Sequence, residues 1–230
     1  MTISQGLLLP LIWVLSLTNL SGKSEELNPV AESKDESEIL LENLAEKHEN
    51  IPSISALDLA LEGYEKLEDE LKKPVLTVID FTLPSTEKRM WIIDVEKQEI
   101  LLNTVVSHGR NSGMLMAEKF SNQPESNQSS LGFYKTAETY QGKHGYSLRL
   151  DGLEKGINDQ ARNRAIVIHG ADYARQEVAK MSGRLGRSLG CPAVPTELSK
   201  EVIDLIKDGS LLFIYGQDQN YLESSPLIQP

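Results

Sequence analysis

Apolar positions follow three different patterns along the chain. Leu7 to Leu20 is a run of about fourteen mostly apolar positions, broken by Pro10, that gives way to Ser21, Gly22 and Lys23. That length suits the apolar region of a signal peptide and falls short of the ~20 residues that span a bilayer. No Lys or Arg precedes it, so only the free amino terminus supplies positive charge. The expectation is a signal peptide over 1–22 that exports the chain, with a retained anchor or a buried helix as the alternatives. Residues 23–37 hold too few apolar groups to order themselves and read as an acidic, flexible leader.

Helical spacing follows over 38–73. Ile39, Leu40, Leu44 and His48 mark one stripe, and Leu57, Leu61, Tyr64, Leu67 and Leu71 a second, which Ser55 and Asp58 could open as a capping box. From Pro74 the pattern becomes that of strands. Val75 to Phe81, Arg89 to Val95 and Ile100 to Val106 predict a meander, and Tyr146 to Leu150, Ala165 to Ile168 and Leu211 to Tyr215 add three more strands. The stretch from Gly109 to Gly145 is rich in Gly, Ser and Asn and predicts mostly loop. One late helix is expected over Thr196 to Asp208, ended by Gly209. The fold class is therefore mainly β, with a domain over 74–217, a helical segment before it and a tail over 218–230.

Charge sharpens this division. The net charge is -11, and Lys23 to Lys73 alone holds 15 acidic against 6 basic residues. The remainder is nearly neutral and lacks the basic stripe that phosphate backbones require, so a nucleic-acid partner is not expected. Within 230 residues, 40% apolar and 25% charged, one sizeable globular domain with extras fits better than two. A monomer is expected.

The chain has a single cysteine, Cys191. In an exported protein an unpaired thiol is either reactive or a small buried hydrophobe. Its setting, Gly183-Arg184-Leu185-Gly186-Arg187-Ser188-Leu189-Gly190-Cys191-Pro192, favours reactivity. Glycines allow turns that aim successive amides at one point, and the amides of Gly190 and Cys191 are candidate oxyanion donors. Arginines nearby would favour thiolate over thiol. An imidazole should serve as base. His169 follows the apolar run Ile166-Val167-Ile168 and precedes Gly170; His108 follows Val105-Val106 and precedes Gly109. Spacing alone leaves both open. His108, His144 and His169 with Cys191 could also be imagined as zinc ligands, but they lack a compact ligand motif, and neither metal nor cofactor is expected.

Several short motifs, in order, carry a resemblance. They include Arg89-Met90-Trp91-Ile92-Ile93-Asp94, Ser107-His108-Gly109-Arg110-Asn111-Ser112-Gly113, Ala117 to Asn122, Tyr140 to Gly145, Leu148 to Glu154, Ile168-His169-Gly170-Ala171 and Gly186 to Pro192. From about Leu57 to Tyr215 the chain resembles the murein L,D-transpeptidase catalytic-domain family, a divergent branch of the L,D-transpeptidase superfamily. The resemblance implies a β-rich domain with the thiol in a cleft, His169 as the base and Cys191 as the nucleophile. The better-known branch has a second His before Gly-Cys and an Arg or Asn two places after the Cys, where this chain has Leu189 and Ala193.

The implied chemistry is acyl transfer in the periplasm or cell envelope, with peptidoglycan stem peptides as donor and acceptor. Cys191 would attack a donor stem at its meso-diaminopimelate carbonyl and release D-Ala, with Gly190 contributing to the oxyanion site. Arg187 is the first candidate to grip a substrate carboxylate, because a guanidinium can do so in bidentate fashion. Ser188, His108, Asn122, Tyr140 and Arg149 complete the expected substrate-facing set. An L,D-carboxypeptidase or other thiol-dependent wall hydrolase, and a non-catalytic wall-binding protein, are the competing readings.

Overall fold

The structure, a computed structural model, describes residues 36–229. The expected signal segment and nearly all of the leader lie outside the described residues. Eight strands form a single sheet: β1 (Val75–Asp80), β2 (Met90–Asp94), β3 (Glu99–Thr104), β4 (Gly132–Gly142), β5 (Gly145–Gly152), β6 (Val167–Gly170), β7 (Ala193–Val194) and β8 (Leu211–Tyr215). Their order is β3-β2-β1-β8-β4-β5-β6-β7. β1 runs parallel to β8 and β6 to β7, while the other neighbours are antiparallel. The fold is mixed α/β and dominated by this sheet, with helices before and after it.

The sheet approaches closure. Beyond the end of β3 the chain continues to Ser107, which bridges Ala193 of β7, and Gly109 bridges Ser188. The two edges of the sheet thus meet at the segment that carries Cys191, which protects unpaired strand edges from solvent.

β1, β2 and β8 are buried at every position, as strands covered on both faces must be. Helix α2 (Ile54–Leu67) packs on β1 and β8, while α4 (Ser199–Ile206) touches β1, β2, β5 and β6 and so ties the two halves of the curved sheet together. Gly63 explains a helix-interior glycine: a Cβ there would lie 2.1 Å from the Phe133 ring, so only hydrogen lets α2 sit this close to β4. Helix α1 (Glu36–Lys47) packs on α2 and β3.

Several expectations change. The N-cap of α2 is Ser53, whose Oγ accepts from the Ala56 amide and donates to Asp80, so the capping box expected at Ser55 does not form. The expected loop over Gly109 to Gly145 contains β4, the longest strand. Its outer half carries Glu138, Gln141 and Gly142 on a hairpin that extends beyond the pairing with β8, which hid its apolar alternation. The late helix is shorter than expected, and α3 (Gln176–Ser182) was not foreseen. Residues 218–229 of the expected tail pack on the domain. α5 (Gln219–Ser224) buries Tyr221 beside Phe213, and Ser225 hydrogen-bonds the buried Glu154.

Candidate active site

The sheet register assembles the site. Tyr140 pairs with Ser147, Ser147 with His169, and His169 with Ala193. Residues directly opposite one another share a face, and the same face carries Arg149 opposite Val167. Continuing the β6–β7 register two residues back brings Cys191 beside Val167, one diagonal step from His169. The Val167 amide accordingly bears on the sulfur.

His169 is buried at the end of β6, and its Nδ1 lies 2.9 Å from the Gly170 carbonyl. A carbonyl only accepts, so Nδ1 carries the proton and Nε2 is left with a lone pair. Burial pushes the imidazole pKa down, aided by His144 and Lys143 and opposed by the Gly170 carbonyl. The ring is therefore neutral at neutral pH. The exposed His144, at the tip of the β4–β5 hairpin, stacks on it with centroids 4.3 Å apart.

Cys191 is half-buried and its thiol donates to the Ala165 carbonyl at 3.6 Å. Burial pushes the thiol pKa up; the amide of Val167, Arg164, Lys143 and its own amide pull the other way without prevailing. The expected thiolate bias from neighbouring arginines is thus overturned at rest, because desolvation outweighs the charges. The guanidinium that acts on the sulfur is Arg164. Arg184 donates to the Leu185 carbonyl, and Arg187 donates to the carbonyls of Arg110 (2.8 Å) and Gly113 (3.0 Å).

Ser188 organises the turn that carries Cys191. Its buried hydroxyl donates to the Cys191 carbonyl at 2.6 Å and accepts from the Gly190 amide at 3.0 Å. The spacing Ser-x-Gly-Cys is therefore a local hydrogen-bonded turn. Gly190 has φ +128, and a Cβ there would meet the Gln128 carbonyl at 2.9 Å, so no side chain is tolerated. The Gly190 amide, expected to face an oxyanion, is directed to Ser188, which leaves the Cys191 amide as the turn's available donor.

Other expected residues take different positions. His108 is buried rather than facing a cleft. Its Nδ1 accepts from Arg89 at 2.8 Å and its Nε2 donates toward the Gly113 carbonyl at 3.3 Å. Burial and the Arg89 charge push its pKa down to about 4. With its lone pair occupied by Arg89 the ring has no free nitrogen to take up a proton, and its contact with the Gly113 carbonyl ties it to the 108–113 loop. Asn122 is spent on Asp159 and the Gln160 amide. Tyr140 and Arg149 remain on the site face, with the guanidinium carbon 4.5 Å above the ring centroid and Arg149 Nε 3.1 Å from Glu138. Among the described residues no three His, Cys, Asp or Glu side chains gather as metal ligands.

Two site residues escaped sequence reasoning. Arg164 donates to the carbonyls of Ser121 and Gln128, both at 2.6 Å, and to the hydroxyls of Ser126 and Ser130, clamping the 121–130 loop beside Gly190. Tyr173 stands close enough to the sulfur that burial and the thiolate charge push its hydroxyl up to about 12. Neither lies in a motif that announces chemistry.

Residues 48–215 match the family described as L,D-transpeptidase catalytic domain. No curated protein matches the chain in sequence. Among solved structures, an L,D-transpeptidase from Mycobacterium smegmatis is 14% identical over 62% of this chain and 59% of its own length, with a TM-score of 0.39. One from Stackebrandtia nassauensis is 18% identical over 71% of this chain and 67% of its own, with a TM-score of 0.37. The helical cell shape determining protein from Campylobacter jejuni is 12% identical over 68% and 54%, with a TM-score of 0.42. The chain thus spans less than two thirds of the mycobacterial and Campylobacter chains. The sequence match carries the family assignment.

Proposed function

Since this chain belongs to the L,D-transpeptidase catalytic-domain family, we propose that it is a peptidoglycan L,D-transpeptidase with Cys191 as nucleophile and His169 as base. The observation that carries this reading is the tautomer of His169. Its Nδ1 proton is held by the Gly170 carbonyl, so Nε2 is free to accept, in a ring one register step from the chain's only thiol.

Both partners start neutral. The imidazole pKa lies below the ordinary histidine value and the thiol pKa above the ordinary cysteine value. A preformed thiolate–imidazolium pair is therefore disfavoured, and the proton moves to His169 as sulfur attacks. The new carbon–sulfur bond places negative charge on the carbonyl oxygen, which the Cys191 amide stabilises. Collapse breaks the carbon–nitrogen bond, and His169 delivers its proton to the departing D-Ala amine. An acceptor stem amine then attacks the thioester, gives its proton to His169, and sulfur leaves to be reprotonated. Tyr140 and Arg149 border the side from which both amines approach. The apolar run at Leu7 to Leu20 supports action outside the cytoplasm, in the cell envelope.

The test is intact-mass analysis of the purified protein with a disaccharide tetrapeptide, alone and with a second muropeptide, beside Cys191→Ala. A thiol-dependent acyl adduct and a cross-linked dimer are expected. Loss of D-Ala without a dimer would instead make it a hydrolase, and the absence of adduct and product from folded protein would leave a non-catalytic wall-binding domain.

A further inference from the structure

The segment Ser188 to Val194 has two flanks. β6, with His169 and Val167, lies along one; Ser107 and Gly109 bridge it along the other. His169 must reach both the leaving amine and the acceptor amine, so the amine-bearing groups belong on the β6 flank. The acyl portion of the donor then extends over the opposite flank.

That opposite flank holds an open pocket of about 480 Å³ formed by the 110–119 loop and Arg187. Its lining includes three cations, Arg110, Lys119 and Arg187, against one carboxylate, Glu118. Arg110 and Lys119 are exposed, and their side chains form no hydrogen bond or ion pair with the described residues. Arg187 is half-buried and is held in place by the Arg110 and Gly113 carbonyls through Nη1 alone, which leaves Nη2 and Nε for a ligand. Met114 and Leu115 line the same pocket and are exposed at 56% and 39%. Unpaired cations beside uncovered apolar side chains suit an acidic peptide with aliphatic stretches, and a fixed guanidinium suits a carboxylate.

We propose that this pocket is the donor-side subsite, in which Arg110, Lys119 and Arg187 bind the stem-peptide carboxylates upstream of the scissile bond while Met114 and Leu115 cover its aliphatic portion. The inference rests on the transpeptidase reading for the identity of the ligand. It makes the 110–119 loop the determinant of donor recognition, independent of the acceptor.

The test uses the Cys191→Ala protein, which binds without turnover, titrated with a tetrapeptide stem in free-acid form and with the same stem amidated at its upstream carboxylates. Adding Arg110→Ala and Lys119→Ala together should weaken free-acid binding roughly ten- to hundredfold. Amidation should cost the parent a comparable factor and cost the double variant little. Thermal unfolding checks that these exposed substitutions leave the fold intact. Free-acid binding within twofold of the parent, an equal amidation loss in both proteins, or no binding of either stem would overturn the subsite. Acylation of the Cys191-containing protein is followed in parallel by mass. Carboxylate-dependent binding without acylation would sink the transpeptidase reading and keep the subsite; acylation indifferent to Arg110 and Lys119 would do the reverse.

Discussion

Replacing Ser188 by Ala tests how Cys191, the proposed nucleophile, is held. The hydroxyl makes two hydrogen bonds inside a four-residue turn, one from the Gly190 amide at 3.0 Å and one to the Cys191 carbonyl at 2.6 Å. Each contributes about 1 kcal/mol net, and stranding the buried Gly190 amide adds about 1–3 kcal/mol, so a loss of about 3–5 kcal/mol is expected in urea unfolding. The turn's entry would survive, because the Ser188 amide still donates to the His108 carbonyl and the Ser188 carbonyl still accepts from Arg110. Its exit toward Cys191 would loosen, and misplacement of a nucleophile by about 1 Å costs up to about a hundredfold. kcat/KM for donor acylation should therefore fall roughly ten- to hundredfold, with KM little changed. Ser188→Thr keeps the hydroxyl and should recover most of the rate. An Ala variant within about 0.5 kcal/mol of the parent and equally active would refute the claim that this side chain builds the turn, since that is the scatter of an inert surface substitution.

Three other outcomes follow from the same structure. Glu154 is buried and accepts from the Phe133 amide and the Ser225 hydroxyl; Glu154→Ala should cost about 3–5 kcal/mol and expose α5 to proteolysis, whereas Glu154→Gln, which retains one acceptor, should cost about 1 kcal/mol. His108 has its folded pKa pushed down to about 4, so it contributes stability above the ordinary histidine pKa of about 6.5 that is lost as pH falls toward 4, on the order of 3 kcal/mol. His108→Gln should flatten that part of the stability–pH curve, and an unchanged slope would contradict the assignment. Arg164 lowers a thiol pKa that burial raises; Arg164→Met should therefore slow iodoacetamide labelling of Cys191 at neutral pH and move its rise to higher pH, with Arg164→Lys in between. Labelling that is indifferent to both would place the guanidinium's role in the 121–130 loop alone.

Local chemistry made much of this protein legible in its sequence. A β-branched run announced β1 and a run of leucines, isoleucine and aromatics announced β8, because strands buried on both faces are near-continuously apolar. The lone thiol among glycines and a histidine at the end of an apolar run marked Cys191 and His169 as candidates, since a sharp turn and a strand terminus are local features. What spacing left undivided was the choice between His169 and His108. Both lie at the end of an apolar stretch, His108 one serine beyond Val105-Val106 and His169 directly after Val167-Ile168, and both precede glycine; only the packing shows that Arg89 occupies the lone pair of one while Gly170 fixes the proton of the other. The same holds for Arg164 and Tyr173, which interact electrostatically with Cys191 from distant positions in the chain, and for β4, whose polar outer half obscured its alternation. The residue types and turn chemistry around Cys191 were determined by sequence. The ionisation of Cys191, the tautomer of His169 and the gathering of Arg110, Lys119 and Arg187 around one pocket were decided by tertiary structure, because desolvation and proximity depend on groups that only the closed sheet brings together.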